Sequence, residues 1–250
     1  MIAWVHLVSA LLCVSASRAQ STRAALDAGL ALKWQMRGQA PFRRETARMG
    51  AIRAFRAGLT GTGEPKMRSL CALRAGELLC AAGLDESGLE ELMSGAALPS
   101  STWRHRCALA GAEALIARGR HAEAACCVET IKGEGVPAPL TEAARVLYGF
   151  ALKERGESSA AVRSWREVAE EGVTPRARIE AFERWGEELL LKGDIDGAAG
   201  VLHLCRKKLS GAALEATAQG QEVRLLLRRS ALATSIRRAM CQRQSERPTF

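Results

Sequence analysis

Apolar and small residues recur three and four positions apart through the middle of the chain, in blocks that come in pairs and break at a glycine. Four such segments align without a gap: MRSLCALRAGELLCAAGLDESGLEEL (67–92), RHRCALAGAEALIARGRHAEAACCVETI (104–131), TEAARVLYGFALKERGESSAAVRSWREV (141–168) and RARIEAFERWGEELLLKGDIDGAAGVLHLC (176–205). In each, the first helical pattern ends at Gly83, Gly119, Gly156 or Gly193, at separations of 36, 37 and 37 residues. Seven positions before these glycines stand Gly76, Ala112, Gly149 and Gly186, and five after them Gly88, Ala124, Ala161 and Ala198. Four further on comes a large apolar residue: Leu92, Val128, Trp165 or Leu202.

This spacing predicts pairs of antiparallel helices. A glycine at the end of the first helix can take the left-handed conformation that closes it without a Cβ clash. The two small positions, one on each helix, let the pair approach closely, and the large residue fills the space beside that contact. Leu79, Leu115, Leu152 and Leu189 lie three residues after the first small position, on the same helical face. Prolines 99, 137, 139 and 175 fall between the pairs, where a helix must stop.

The pattern resembles the tetratricopeptide repeat, a helix-turn-helix unit of about 34 residues. The resemblance implies an all-α chain: a right-handed α-α superhelix, or solenoid, of about five helix-turn-helix repeats plus a C-terminal capping helix. Four tetratricopeptide-like repeats then occupy residues 67–206. Residues 20–66 read as a degenerate first repeat, in which Ala31, Trp34 and Gly38 fit the pattern and the linker through Pro41 is longer. Residues 207–250 read as a capping helix and basic tail, with Leu214, Val223, Leu225, Leu226, Leu227 and Leu232 offering apolar faces. End units of a solenoid need a polar outer face, which the arginines here supply.

Composition agrees with helix: Ala, Leu, Arg and Glu are strong helix formers, and aromatics make up only 4%. Asn is absent. The net charge is +9, unevenly spread. Residues 20–68 and 205–250 each carry ten basic and three acidic groups, whereas 69–204 carry 15 basic and 21 acidic. A single basic footprint for nucleic acid would look different. The first nineteen residues, with an apolar run from Ile2 to Ala16 and Ser17-Arg18-Ala19 before Gln20, read as a cleaved secretory signal peptide. That places the chain in the bacterial periplasm; an uncleaved N-terminal membrane anchor or a mitochondrial presequence is the competing expectation. Eight cysteines include no C-x-x-C pair, and Cys126 and Cys127 are adjacent, so they read as small core residues and not as a metal site.

In the family resembled, the first helix of each pair lines a groove that receives a peptide or helix of a partner protein. Carried over position by position, the resemblance puts Glu77, Glu113, Phe150 and Glu187 in that groove, with Leu73, Leu109, Val146 and Glu183 one turn before them. One turn after come Cys80, Ile116, Lys153 and Leu190. The expected surface is apolar with an acidic row and one aromatic, suited to a basic or amphipathic partner segment. It departs from the basic carboxylate clamp of familiar peptide-binding members, since Glu stands where an amide would. No G-x-x-x-x-G-K, G-x-S-x-G or H-E-x-x-H motif occurs, and the four histidines are scattered. The expectation is therefore a non-enzymatic scaffold without catalytic residues, cofactor or metal. The competing class has the basic ends meeting nucleic acid, without sequence preference, or anionic membrane surfaces.

The mature protein is predicted to begin at or near Gln20, which an intact-mass measurement on native material checks. A soluble cytoplasmic species beginning at Met1 would contradict both the cleavage and the export.

Overall fold

A computed structural model of the chain describes residues 22–36, 41–61, 63–99, 102–131 and 135–209. The expected signal segment over 1–19, Gly38 and nearly all of the expected cap over 207–250 lie outside the described residues. Among the described residues all regular structure is α-helix. In chain order these are α1 (22–35), α2 (Pro41–Thr60), α3 (Pro65–Ala81), α4 (Asp85–Ala96), α5 (Thr102–Ile116), α6 (His121–Glu129), α7 (Ala138–Glu154), α8 (Ser158–Glu171), α9 (Pro175–Leu191) and α10 (Ile195–Lys208). The four expected hairpins are α3/α4, α5/α6, α7/α8 and α9/α10.

One turn recurs in all four. Gly83, Gly119, Gly156 and Gly193 have φ of 76°, 71°, 83° and 79°. Around Gly83, Gly156 and Gly193 no atom lies within 4 Å of an added Cβ, so the requirement for glycine there is conformational and not spatial. The residue after each glycine, Leu84, Arg120, Glu157 or Asp194, donates its N–H to the carbonyl of Leu79, Leu115, Leu152 or Leu189 at 2.9 to 3.0 Å. The glycine's own N–H goes to Cys80, Ile116, Lys153 or Leu190 at 2.8 to 3.0 Å. This crossed pair of bonds satisfies carbonyls that a helix end otherwise leaves unpaired. The carbonyl of that same following residue accepts the first bond of the next helix, from Gly88, Ala124, Ala161 or Ala198, at 2.9 to 3.0 Å. A single residue thus closes one helix and starts another.

The chain divides into two compact units, Met1–Leu140 and Thr141–Phe250. In the first, α3 and α4 touch backbone to backbone. A Cβ on Gly76 would lie 2.9 Å from the Gly88 carbonyl and 2.5 Å from Leu92, and one on Gly88 would lie 3.0 Å from the Gly76 carbonyl. In α5/α6 the small positions are Ala112 and Ala124, both fully buried, with Val128 beside them at 2% exposure. Cys71, Ala75, Leu78 and Leu79 of α3 also pack on Ile52 and Phe55 of α2 and Leu26 of α1. The first hairpin keeps the same logic in a different register. Gly29 faces Phe55, at 2.5 Å for an added Cβ, while Ala31 is exposed and Trp34 is 68% exposed. Gly29 and Phe55 are 26 residues apart against 16 for Gly76 and Leu92, because the first connection is longer.

The second unit is built around Trp165, fully buried against Gly149, where its indole fills the place a Cβ would take. Its Nε1–H donates to the Val146 carbonyl at 3.0 Å, so the indole is buried without an orphan donor. In α9/α10 an added Cβ on Gly186 would lie 3.1 Å from Leu202. Trp165, Phe182, Ile179, Val168, Leu202 and Cys205 form the centre of this core. Glu142, 7% exposed, accepts the N–H groups of Val173 and Thr174 at 2.6 and 2.9 Å and so holds the connection into α9. Pro175 then opens that helix at a position where no N–H is needed.

Gly149→Leu is predicted to lower the melting temperature, with overpacking costing about 1–3 kcal/mol. An exposed helical glycine would respond oppositely, gaining up to about 1 kcal/mol from a better helix former. Thermal unfolding by circular dichroism reads the sign.

Candidate partner-binding groove

The candidate groove residues sit on the first helix of each hairpin, and the structure divides them into different environments. In the first unit Leu73 is 4% exposed and packs with Ala72, Leu92 and Cys107, so it belongs to the core. Leu109, Cys80 and Ile116 are half-buried, and Glu113 is exposed on α5. Glu77 is half-buried between two cations: Arg74 Nη1 donates to both carboxylate oxygens at 2.8 and 3.2 Å, and Lys33 Nζ of α1 reaches Oε2 at 3.3 Å.

In the second unit Val146, at 3% exposure, lies in the core, and its carbonyl takes the Trp165 indole. Glu183, at 8%, is also buried. Phe150 is half-buried on the core, and the Arg184 guanidinium carbon sits 5.6 Å from its ring centroid. Arg184 Nη1 also pairs with Glu187 Oε2 at 3.2 Å. The structure therefore brings Phe150, Arg184 and Glu187 into one patch, a cation over an aromatic face with its counter-ion alongside. Lys153 is drawn away to Glu188, whose carboxylate is buried between Lys153 Nζ at 3.6 Å and Lys192 Nζ at 3.4 Å. Glu188 is thus a buried, twice-paired carboxylate and not the solvated one its sequence context implies.

Glu77 and Glu187, from the expected acidic row, are each neutralised by an arginine three residues earlier. That pairing was readable in the sequence, because Arg74 and Arg184 hold the same place in their repeats and i,i+3 partners face each other on a helix. Lys192 meets Glu188 at i,i+4, which spacing also allows, whereas Lys33 reaches Glu77 from outside the aligned segments, where spacing alone does not reveal it. Among the described residues no three His, Cys, Asp or Glu converge as a metal cage, and no helix is long and apolar enough to cross a membrane.

Most of the described thiols are core groups, with Cys80 half-buried and Cys126 exposed. Cys71, Cys107, Cys127 and Cys205 are buried and unbridged, and Cys107 Sγ donates to the Ser69 carbonyl at 3.2 Å. Burial pushes the Cys71 and Cys127 thiols up to about 11, the latter helped by neighbouring Cys126. It pushes Cys107, with Glu77 nearby, and Cys205 up to about 12.

Helix order and hairpin repetition connect this chain with solved structures. It aligns with a crystal structure of MamA at a TM-score of 0.50 and 20% identity, over 66% of this chain and 91% of that one. A second structure of MamA protein gives 0.53 and 19%, over 76% and 92%. The P58(IPK) TPR domain aligns at 0.39 and 18%, over 82% of this chain and 55% of that one, a score too low to support an argument. No family model matches the chain, and no curated protein matches it in sequence. At these identities the likeness concerns the fold. The described chain is an all-α array of tetratricopeptide-like helix hairpins.

Stability is predicted to fall as pH rises above about 9. The unfolded chain gives up its thiol protons near 8.5, whereas the folded state holds them until about 11 to 12, so the folded state loses ground across that window. Urea unfolding at stepped pH checks this, and Cys107→Ala should show a shallower alkaline decline than the parent chain.

Proposed function

We propose that the protein is a non-enzymatic protein–protein interaction scaffold that receives a basic or amphipathic partner segment along its first helices. The observation that carries the reading is the patch of Phe150, Arg184 and Glu187, where a half-buried aromatic is presented beside paired charges. An aromatic with one face on the core and little conformational freedom left is the kind of side chain that anchors an interface. The ion pairs at Glu77 and Glu187 moderate the negative charge of these first helices, and Glu113 is exposed on α5. The compartment proposed is the bacterial periplasm, from the apolar leader-like segment before Gln20. A second reading, contact of the basic ends with nucleic acid or anionic membrane, draws on the ten basic and three acidic residues in each of 20–68 and 205–250. Binding that vanishes at moderate salt and ignores sequence would favour it.

With a partner captured by crosslinking in the native compartment, Phe150→Ala is predicted to weaken association by about 2 kcal/mol or more while leaving helicity intact. Glu113→Lys should slow association chiefly at low salt, and Arg163→Glu on α8 should be nearly silent. Titration calorimetry and stopped-flow mixing at two salt concentrations measure these. Loss of binding with Arg163→Glu and none with the other two would move the surface to the second helices.

A further inference from the structure

A cavity of about 480 Å³ opens in the first unit between α4 and α6, the second helices of two successive hairpins. Leu89 and Met93 wall it from α4, Leu115 from α5, and Ala122, Cys126 and Cys127 from α6. Its floor is soft: Cys127 Sγ packs 3.8 Å from Met93 Sδ. The mouth is not sealed, because Met93 is 42% exposed and Ala122 and Cys126 are exposed. Exposed apolar side chains gathered around a concavity mark a binding surface more often than scattered ones do. Methionine, unbranched and polarizable, adapts to whatever apolar group enters.

The electrostatics of these two helices name the chemistry of the occupant. In a chain of net charge +9, α4 and α6 carry Asp85, Glu86, Glu90, Glu91, Glu123 and Glu129, and neither has a lysine or arginine. The nearby cations are engaged. Arg120 bridges Glu123 at 2.7 Å and Glu86 at 3.4 Å, tying the two helices together across the mouth, and Arg118 lies 3.6 Å from Asp85. Arg56 pairs with Glu91 at 2.6 Å. The two helices that flank the apolar slot thus carry acids in excess of the cations paired with them, and Glu123 is in its lining.

We propose that this slot is a docking site for a basic amphipathic helix of a partner protein, one large apolar side chain entering the cavity and flanking lysines or arginines meeting the acids of α4 and α6. Two neighbouring helices with an open furrow between them suit the helix-in-groove mode, in which anchors recur at i, i+3 or i+4, and i+7. The surrounding acids steer a basic helix and reject an acidic one. This surface lies on the second helices and is independent of the first-helix reading.

The probe is a dye-labelled sixteen-residue amidated peptide of leucine and lysine with its leucines at helical spacing, titrated into the full chain by fluorescence anisotropy. A scrambled peptide of the same composition serves as comparison. Ala122→Trp, which fills the slot from an exposed position, should weaken binding about tenfold or more, the loss expected of an interface anchor. Glu90→Lys should weaken it severalfold at low salt and little at high salt, and Arg163→Glu on α8 should leave it unchanged. As a second readout that needs no variant, bound peptide should slow alkylation of Cys126 by N-ethylmaleimide, mapped by mass spectrometry. Equal binding of the scrambled peptide would overturn the proposal, as would wild-type affinity in Ala122→Trp or unprotected Cys126 at saturating peptide. Loss of binding in Phe150→Ala alone would also overturn it, by moving the peptide to the first helices.

Discussion

Everything in the described chain depends on how closely the two helices of a hairpin can approach. That approach is set at one point, where a residue with little or no side chain on the first helix meets a small residue and a large apolar one on the second. At Gly76 and Gly88 the contact is backbone on backbone, and at Gly149 an entire indole occupies the missing side chain's place. The large residue is buried because the small one makes room, and burying a side chain of that size contributes about 1.5–3 kcal/mol. The turn glycine brings the two helices to this contact in the correct phase, since the bonds that close the first helix also fix where the second begins. Turn and contact are therefore one device, repeated.

The surfaces follow from that device. Because each first helix spends one face on its partner and another on the neighbouring hairpin, residues such as Leu73 and Val146 are consumed by packing, and those such as Glu113 and Phe150 are left partly or wholly presented. In the second helices, short residues at Ala122 and Cys126 leave a furrow where longer side chains would have closed it. Charge is then arranged locally. Arg74, Arg184 and Arg120 each sit three residues from an acid they hold, while Lys33, Arg56 and Lys153 pair with acids of other helices. Exposed pairs of this kind contribute little to stability, but they decide which sign of charge a partner meets.

The hairpins were legible in the sequence because glycine, small and large positions recur at fixed offsets, and all four turn glycines have the left-handed backbone that pattern requires. The first hairpin was legible only in outline. Ala31 and Trp34 matched the pattern by distance from Gly38, yet the longer connection moves the contact to Gly29 and Phe55. A spacing rule fails when a loop changes length, because packing follows the helix face and not the count of residues. The burial of Glu142 and Glu188 was not legible for a related reason. Glu142 depends on N–H groups 31 and 32 residues away, and Glu188, beside its i,i+4 partner Lys192, on Lys153 of the neighbouring hairpin, which no local period encodes. The α4/α6 cavity arises from what side chains leave empty, and periodicity describes only what they fill.

The most direct measurement is native-state amide hydrogen exchange at Leu84, Arg120, Glu157 and Asp194, the residues that follow the turn glycines. These are short loop positions that would exchange freely if the helices merely met there. The account predicts that all four amides are protected well beyond a surface turn, each held by the carbonyl of Leu79, Leu115, Leu152 or Leu189. Within a unit, they should exchange together with the core amides of the hairpins they join. Rapid exchange at these four positions, with the flanking helices still protected, would contradict the claim that the glycine turn sets the register of the fold.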